Sequence, residues 1–359
     1  MRLNLNKALQ CSFVFIFSSQ AYSAEIYNKD GNQLDLYGKV DARHVFSDNA
    51  SENGDNTYSR LGFKGQTQIS DTLTGYGQWE YNFQSNHSEG GSDAQTGNAT
   101  RLGFVGLNIT DIGSFDYGRN LGALYTALSF TDMAPIYGSG TMSSNDNFMS
   151  KRATGVASWH SPDWGGLKLT LQYQGKNDRS QAKLANGDGY SAGFTYDIAD
   201  GLSFAASGMK ANRTLQQKAD GQGSDVTAWA SALKYDANQI YLAAMYGEAN
   251  RVTAYGQQSQ FADKTRNVEV IAQYQFLNGL RPSLGFVMQR GNNLQNTDTA
   301  SGVNQTLQKY IEIGTYYYFN KNMLICLDYK INLLSDNAFT KSAALSTKDS
   351  IGMGITYQF

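Results

Sequence analysis

Long hydrophobic runs are missing from this chain. Beyond residue 23 no stretch approaches 18 apolar residues, so no helix formed from it could cross a bilayer. Cysteine is nearly missing too, with only Cys11 and Cys326. Cys11 precedes the apolar core of the leader, the wrong side for a lipidated cysteine, and reads as a small apolar residue. Cys326 sits alone in a strand pattern, LICLDY, and reads as a buried or lipid-facing apolar residue. No internal disulfide is then possible. The three histidines, His44, His87 and His160, lack metal-ligand spacing to one another or to cysteine. Neither a metal nor any other cofactor is implied, and the glycine clusters do not precede helices as phosphate cradles do. His160 and Ser161 are neighbours, which puts them on opposite faces of a strand and argues against a hydrolase pair. An excess of positive charge is also absent, which argues against a nucleic-acid partner.

Residues 1–23 read as an export signal. Arg2 and Lys7 charge its start, Cys11–Phe17 form its apolar core, and Ala21 and Ser23 are the small residues before the cut. Cleavage after Ser23 leaves 336 residues (359 less 23), with 27 basic and 31 acidic side chains. No composition shift divides residues 24–359, so they read as one domain.

What the chain does have is glycine, tyrosine and alternation. Glycine numbers 37, tyrosine 23 and phenylalanine 18, against three prolines. In Leu34–Val45, Leu34, Leu36, Val40 and Ala42 share one face, and Asp35, Tyr37, Lys39, Asp41 and Arg43 the other. The same rhythm returns in Tyr58–Ile69, Thr74–Phe83 and, in all, 16 segments. Short turns alternate with long polar loops. The even count, the alternating loop lengths and the charged face predict an all-β, 16-stranded antiparallel transmembrane barrel with a wet lumen.

One connection breaks the pattern. Asn120–Arg152 is too long for a hairpin loop and too apolar to be solvated. Helix formers occupy Ala123–Leu128, and Pro135, Gly122, Gly138 and Gly140 punctuate it. This pattern predicts a third loop folded back into the lumen.

Six blocks, AEIYNKDGNQLDLYGK (24–39), TYSRLGFKGQTQI (57–69), GYGQWEYNF (75–83), GSFDYGRN (113–120), TYYYFNKNM (315–323) and the terminal YQF, resemble the general diffusion porins of Gram-negative outer membranes. The resemblance implies a homotrimer of such barrels in the cell outer membrane, in contact with membrane lipid and lipopolysaccharide. Each barrel is then a water-filled pore for small hydrophilic solutes and ions, narrowed by the third loop.

Residue by residue, the resemblance places the basic wall of the constriction at Lys39, Arg60, Arg101 and Arg152. Lys39, Arg60 and Arg101 also fall on the polar faces of their strands. A lysine common in the family is Ala99 here. On the acidic side Asp132 matches, but the central glutamate is Ile136, a nearby aspartate is Gly140, and Asp146 is the next candidate. Four basic groups against one or two acids imply weak cation selectivity or slight anion preference, in a neck made more apolar by Ile136 and Met142. Glu312 and Asp328 match positions that hold the loop to the wall, and Glu89 and Arg119 match a latch between subunits. A substrate-specific channel and a structural or adhesin barrel without open conduction remain as alternatives. The first would need an aromatic stripe in the lumen, whereas most aromatics fall on the lipid face.

Overall fold

The computed structural model describes residues 23–359 apart from 139, 143–146, 257–259 and 297–298, with the backbone alone at 23, 295–296 and 299–301. Sixteen strands form one antiparallel barrel. In chain order they are β1 (Asn32–Ser47), β2 (Tyr58–Ser70), β3 (Leu73–Gln84), β4 (Ala99–Ile109), β5 (Gly113–Leu121), β6 (Arg152–His160), β7 (Leu167–Gln174) and β8 (Gly189–Ala199). They continue as β9 (Leu202–Asn212), β10 (Asp225–Ala237), β11 (Ile240–Asn250), β12 (Lys264–Tyr274), β13 (Leu280–Asn296), β14 (Thr299–Tyr318), β15 (Met323–Asn332) and β16 (Ser350–Gln358). Each strand pairs with the next, and β16 returns to β1 with Gln358 opposite Lys39 and Ser350 opposite Ser47. A closed sheet leaves no strand edge unpaired within the membrane.

Closure uses the first described strand as well as the last. The strand Ser23–Lys29 pairs with the lower part of the same β1 edge, from Lys29 opposite Asn32 to Ser23 opposite Tyr37. Phe359 meets Gly38 just above it, each amide donating to the other's carbonyl at 3.0 Å. The alternation argument starts the first strand at Leu34 and misses this segment. Its signal is the Asp30-Gly31 turn, both residues at positive φ (54° and 74°), as a two-residue hairpin connection requires.

Side-chain alternation sorts the two faces. Val40, Phe63, Val105, Leu171, Leu233, Ile313 and Ile355 face outward and are exposed, while Asp41, Gln78, Asp116 and Asp328 face inward and are buried. Aromatic rings cluster on the outward face, near strand ends in Trp159–Trp164 and Tyr317–Phe319 and further along the strands in Phe63–Trp79–Tyr81 and Trp229–Tyr246. Rings with one polar end suit the membrane–water boundary.

Two strands outrun their expected limits. The pattern ends them at Gln289 and starts the partner at Gln308, but β13 and β14 span 17 and 20 residues. Beyond the barrel rim this hairpin buries Leu294 and Leu307 against Tyr255, Ala262, Phe339 and Ala343 of other outer loops. A polar stretch read as a loop is thus held as strand by a small apolar cluster.

Ile313 lies mid-strand on the outward face and Phe319 at the aromatic boundary. Ile313→Arg should destabilise the barrel by about 2–4 kcal/mol and Phe319→Arg by about 0–1 kcal/mol. Denaturant titration of tryptophan fluorescence in lipid vesicles measures both, and equal losses would contradict the assigned membrane depth.

Candidate functional site

The loop after β5 enters the barrel, as its composition predicts. Its base is closed where Leu121 pairs with Arg152 and the Gly122 amide donates to the Lys151 carbonyl at 2.7 Å. A single helical turn follows at Tyr125–Leu128. Leu124, Ala127 and Leu128 pack on Ala205, Met209, Ala228, Ala230 and Ala232 of the barrel wall. The inner face of β9 to β11 is therefore small and apolar rather than polar. Alanines there let the helix backbone approach closely, and they exclude water beneath it.

Wall side chains bind the loop backbone one after another around the barrel. Gln172 on β7 accepts from the Ala123 amide (2.5 Å) and donates to the Leu121 carbonyl (2.7 Å). Ser207 on β9 donates to the Leu124 carbonyl at 2.9 Å, and Tyr241 on β11 to that of Phe130 at 2.7 Å. Gln273 on β12 donates to the Met133 carbonyl at 2.8 Å, and Tyr316 on β14 to that of Ala134 at 2.9 Å. Asp328 on β15 accepts from the amides of Ile136 (3.0 Å) and Tyr137 (3.3 Å). The loop then turns back, and Gln289 on β13 donates to the Thr141 carbonyl.

Glu269 is an anchoring acid that sequence reasoning overlooks. It accepts from the Thr131 hydroxyl (2.6 Å), the Thr141 amide (3.0 Å) and the Thr141 hydroxyl (2.5 Å). Its signal is parity, because Thr265, Asn267, Glu269 and Gln273 share the inward face of β12. Glu312, expected beside Asp328 as an anchor, is buried behind the loop, and its Oε2 has no partner among the described residues. The tip rests on glycine. A Cβ on Gly314 would meet Pro135 Cγ at 2.9 Å, and one on Gly352 would meet Ile136 Cδ1 at 2.8 Å.

The loop tip faces a basic wall across an opening of about 720 Å³. Arg43, Arg60, Arg101, Arg119 and Arg152 line one side, and Ile136 and Tyr137 the other. The carboxylates near it are held by bases. Asp41 takes Lys39 Nζ at 2.8 Å, Arg43 Nε at 2.5 Å and the Tyr58 hydroxyl at 3.0 Å. Arg101 pairs with Glu80. Asp132 takes Lys151 Nζ at 2.7 Å and the Tyr125 hydroxyl at 2.6 Å. Burial first, then the charge of Asp132, hold that hydroxyl well above the ordinary tyrosine range, so it stays a donor. Arg60 donates to the neutral Asn82 at 3.1 Å and lies 4.6 Å from the Tyr58 ring centroid.

The structure thus brings Arg60, Arg101, Arg152 and Ile136 to one opening and places Lys39 in the adjoining Asp41 network. Asp146 lies outside the described residues. Met142, expected in the neck, is instead buried in the core cluster against the wall. Cys326 is buried on the inward face of β15 rather than facing lipid. Arg43, Glu80 and Lys151 join the charged set without having been singled out from sequence. Glu89 is exposed on the second outer loop, and Arg119 donates to the Thr100 carbonyl (2.8 Å) and the Thr154 hydroxyl (3.0 Å).

Glu269→Ala strands the Thr141 amide, at a cost of about 2–3 kcal/mol for the lost charge-assisted bonds. A lower unfolding temperature with a noisier open-state current is expected from calorimetry and single-channel recording. Quiet, unaltered channels would show that the loop does not depend on this anchor.

The sequence profile of the Gram-negative porin family matches residues 29–359. Outer membrane protein F of Serratia marcescens is 50% identical over 94% of this chain and 95% of its own. Outer membrane porin PhoE of Escherichia coli strain K12 is 49% identical over 96% of both chains. Among solved structures, the Salmonella typhi OmpF complex with daunomycin is similar at a TM-score of 0.85 and 43% identity, covering 94% of this chain and all (100%) of that one. An anion-selective porin from Comamonas acidovorans shares the fold at a TM-score of 0.68 and 15% identity, over 91% of this chain and 100% of that one. With a barrel closed around an inward loop and these relatives over nearly its full length, the chain belongs to the Gram-negative porin family and is a general diffusion porin of the outer membrane.

Proposed function

We propose that solutes and ions diffuse passively through this barrel, without chemical change, and that the neck sorts them weakly by charge with a bias toward anions. The observation that carries this reading is the opening itself, whose wall is lined by five arginines and whose loop side offers Ile136 and Tyr137 but no described carboxylate. Asp41 is shared by two bases and Glu80 is paired with Arg101, while Arg60 donates to the neutral Asn82, so positive charge is in excess among these groups. Fixed charges around a narrow wet passage set its potential, and a potential of one sign favours counter-ions over co-ions. Asp328 and Glu269 hold the loop at this height, with Glu312 filling the space behind it.

The partner reading is a homotrimer, with Glu89 of one subunit reaching the Arg119 region of its neighbour. Membrane lipid covers the remaining outward band, and lipopolysaccharide meets its upper rim. There Arg266 and Arg290 stand opposite each other on β12 and β13. In the same reading, removal of residues 1–23 delivers the barrel domain, 24–359.

In a potassium chloride gradient the reversal potential of reconstituted protein should give a potassium-to-chloride permeability ratio near or below one. A unit charge about 7 Å from the ion path in water is worth about 0.6 kcal/mol for each ion, with opposite sign for cation and anion, so Ile136→Glu should raise that ratio by about sevenfold. Strong cation selectivity of the unmodified protein would overturn the electropositive neck. Channel closures in steps of three equal conductances are expected of a trimer, and single closures would count against it.

A further inference from the structure

Below the loop the lumen widens into a second recess whose charge is opposite to that of the neck. It is a cavity of about 530 Å³ between the underside of the helical turn and the inner ends of β3 to β7. Tyr76, Phe104 and Tyr125 give it aromatic walls and roof, and Leu121 and Ala123 add apolar surface. Tyr76 and Phe104 pack edge to face, with centroids 6.4 Å apart.

Asp116 is the charge at its centre. Its side chain is 2% exposed, yet its carboxylate borders the cavity. It accepts from Asn120 Nδ2 (3.0 Å) and the Tyr76 hydroxyl (3.2 Å), and lies 3.3 Å from His160 Nε2. His160 Nδ1 lies 3.0 Å from the Thr170 hydroxyl. No lysine or arginine pairs with Asp116 among the described residues. Asp111 and Asp163 border the same cavity, against Lys168 as its one ammonium, and Lys168 is shared by Asp163 (3.4 Å) and Asp197 (3.9 Å). Acid is therefore in surplus here, in a space with aromatic faces.

We infer that this inner vestibule is a binding site for organic cations, of the class of a protonated amine carrying an aromatic or apolar body. The ammonium would take the Asp116 carboxylate as counter-charge, because a desolvated carboxylate already held by neutral donors gains most from a cation. The body would lie against Tyr76, Phe104 and Tyr125, whose ring faces attract both cations and apolar surface. A cation approaching from the inner mouth would meet this recess before the positively charged neck. The site does not depend on the selectivity proposed for that neck, since none of its groups belongs to the basic wall.

The experiment records single-channel current from the reconstituted trimer with 2-phenylethylammonium chloride added to either chamber, and 2-phenylethanol as the neutral control. Concentration-dependent interruptions are expected with the amine, with a dissociation constant on the order of millimolar, and none with the alcohol. Asp116→Asn should weaken the amine by about tenfold or more, the scale of one lost charge-assisted contact. His160→Arg leaves Asp116 in place but sets a permanent cation beside it, and should weaken binding to a similar degree, whereas His160→Gln should leave it within about twofold. Absence of interruptions, equal effect of the alcohol, or undiminished interruptions in either charge-altering variant would overturn the site.

Discussion

Everything in this molecule depends on the need of backbone amides and carbonyls for partners where no water can reach them. In hydrocarbon an unpaired peptide group costs several kcal/mol, so a sheet that crosses must close on itself. Here closure takes the first and last described strands, with β16 and the strand Ser23–Lys29 sharing one edge of β1. Once the ladder is complete, period-two alternation settles where each side chain goes. One face meets lipid and the other encloses water. A channel follows from pairing before any specific side chain is considered.

Inside that cylinder the same accounting governs the loop. Its backbone cannot join the sheet, so its polar groups must be met by side chains from the wall. Gln172, Ser207, Tyr241, Glu269, Gln273, Tyr316 and Asp328 do this in spatial succession. Where the loop is apolar, the wall answers with alanines. Polar and apolar parts of the loop therefore have matching tracks on the barrel, and both tracks fasten the loop to the wall.

Charge is separated along the pore. Arginines dominate the opening beside the loop tip, while aspartates outnumber the lysine in the recess beneath its helical turn. The two regions share wall strands but sit at opposite ends of them, since Arg101, Arg119 and Arg152 lie near the outer ends of β4, β5 and β6, and Asp116 and His160 near the inner ends of β5 and β6. Separate groups can thus set how charge crosses the neck and what lodges before it.

Alternation, loop-length rhythm and the apolar stretch after Asn120 were enough to place the barrel, its two faces and the inward loop, because each rests on local periodicity and composition. The basic wall residues were legible for the same reason, since strand parity points Lys39, Arg60 and Arg101 to the lumen. Other features depend on residues far apart in the chain. Glu269 becomes an anchor only because Thr131 and Thr141 arrive opposite it, and Met142 leaves the neck because Gly247 and Ala230 make room in the wall. The pairing of Asp132 with Lys151, and the approach of His160 to Asp116, likewise join segments that no short pattern connects. The sequence by itself determined the barrel, its two faces and the entry of the third loop, through rules that act between neighbours. Tertiary structure alone decided which charges face the passage and which are spent on one another, because an ion pair depends on distance in space.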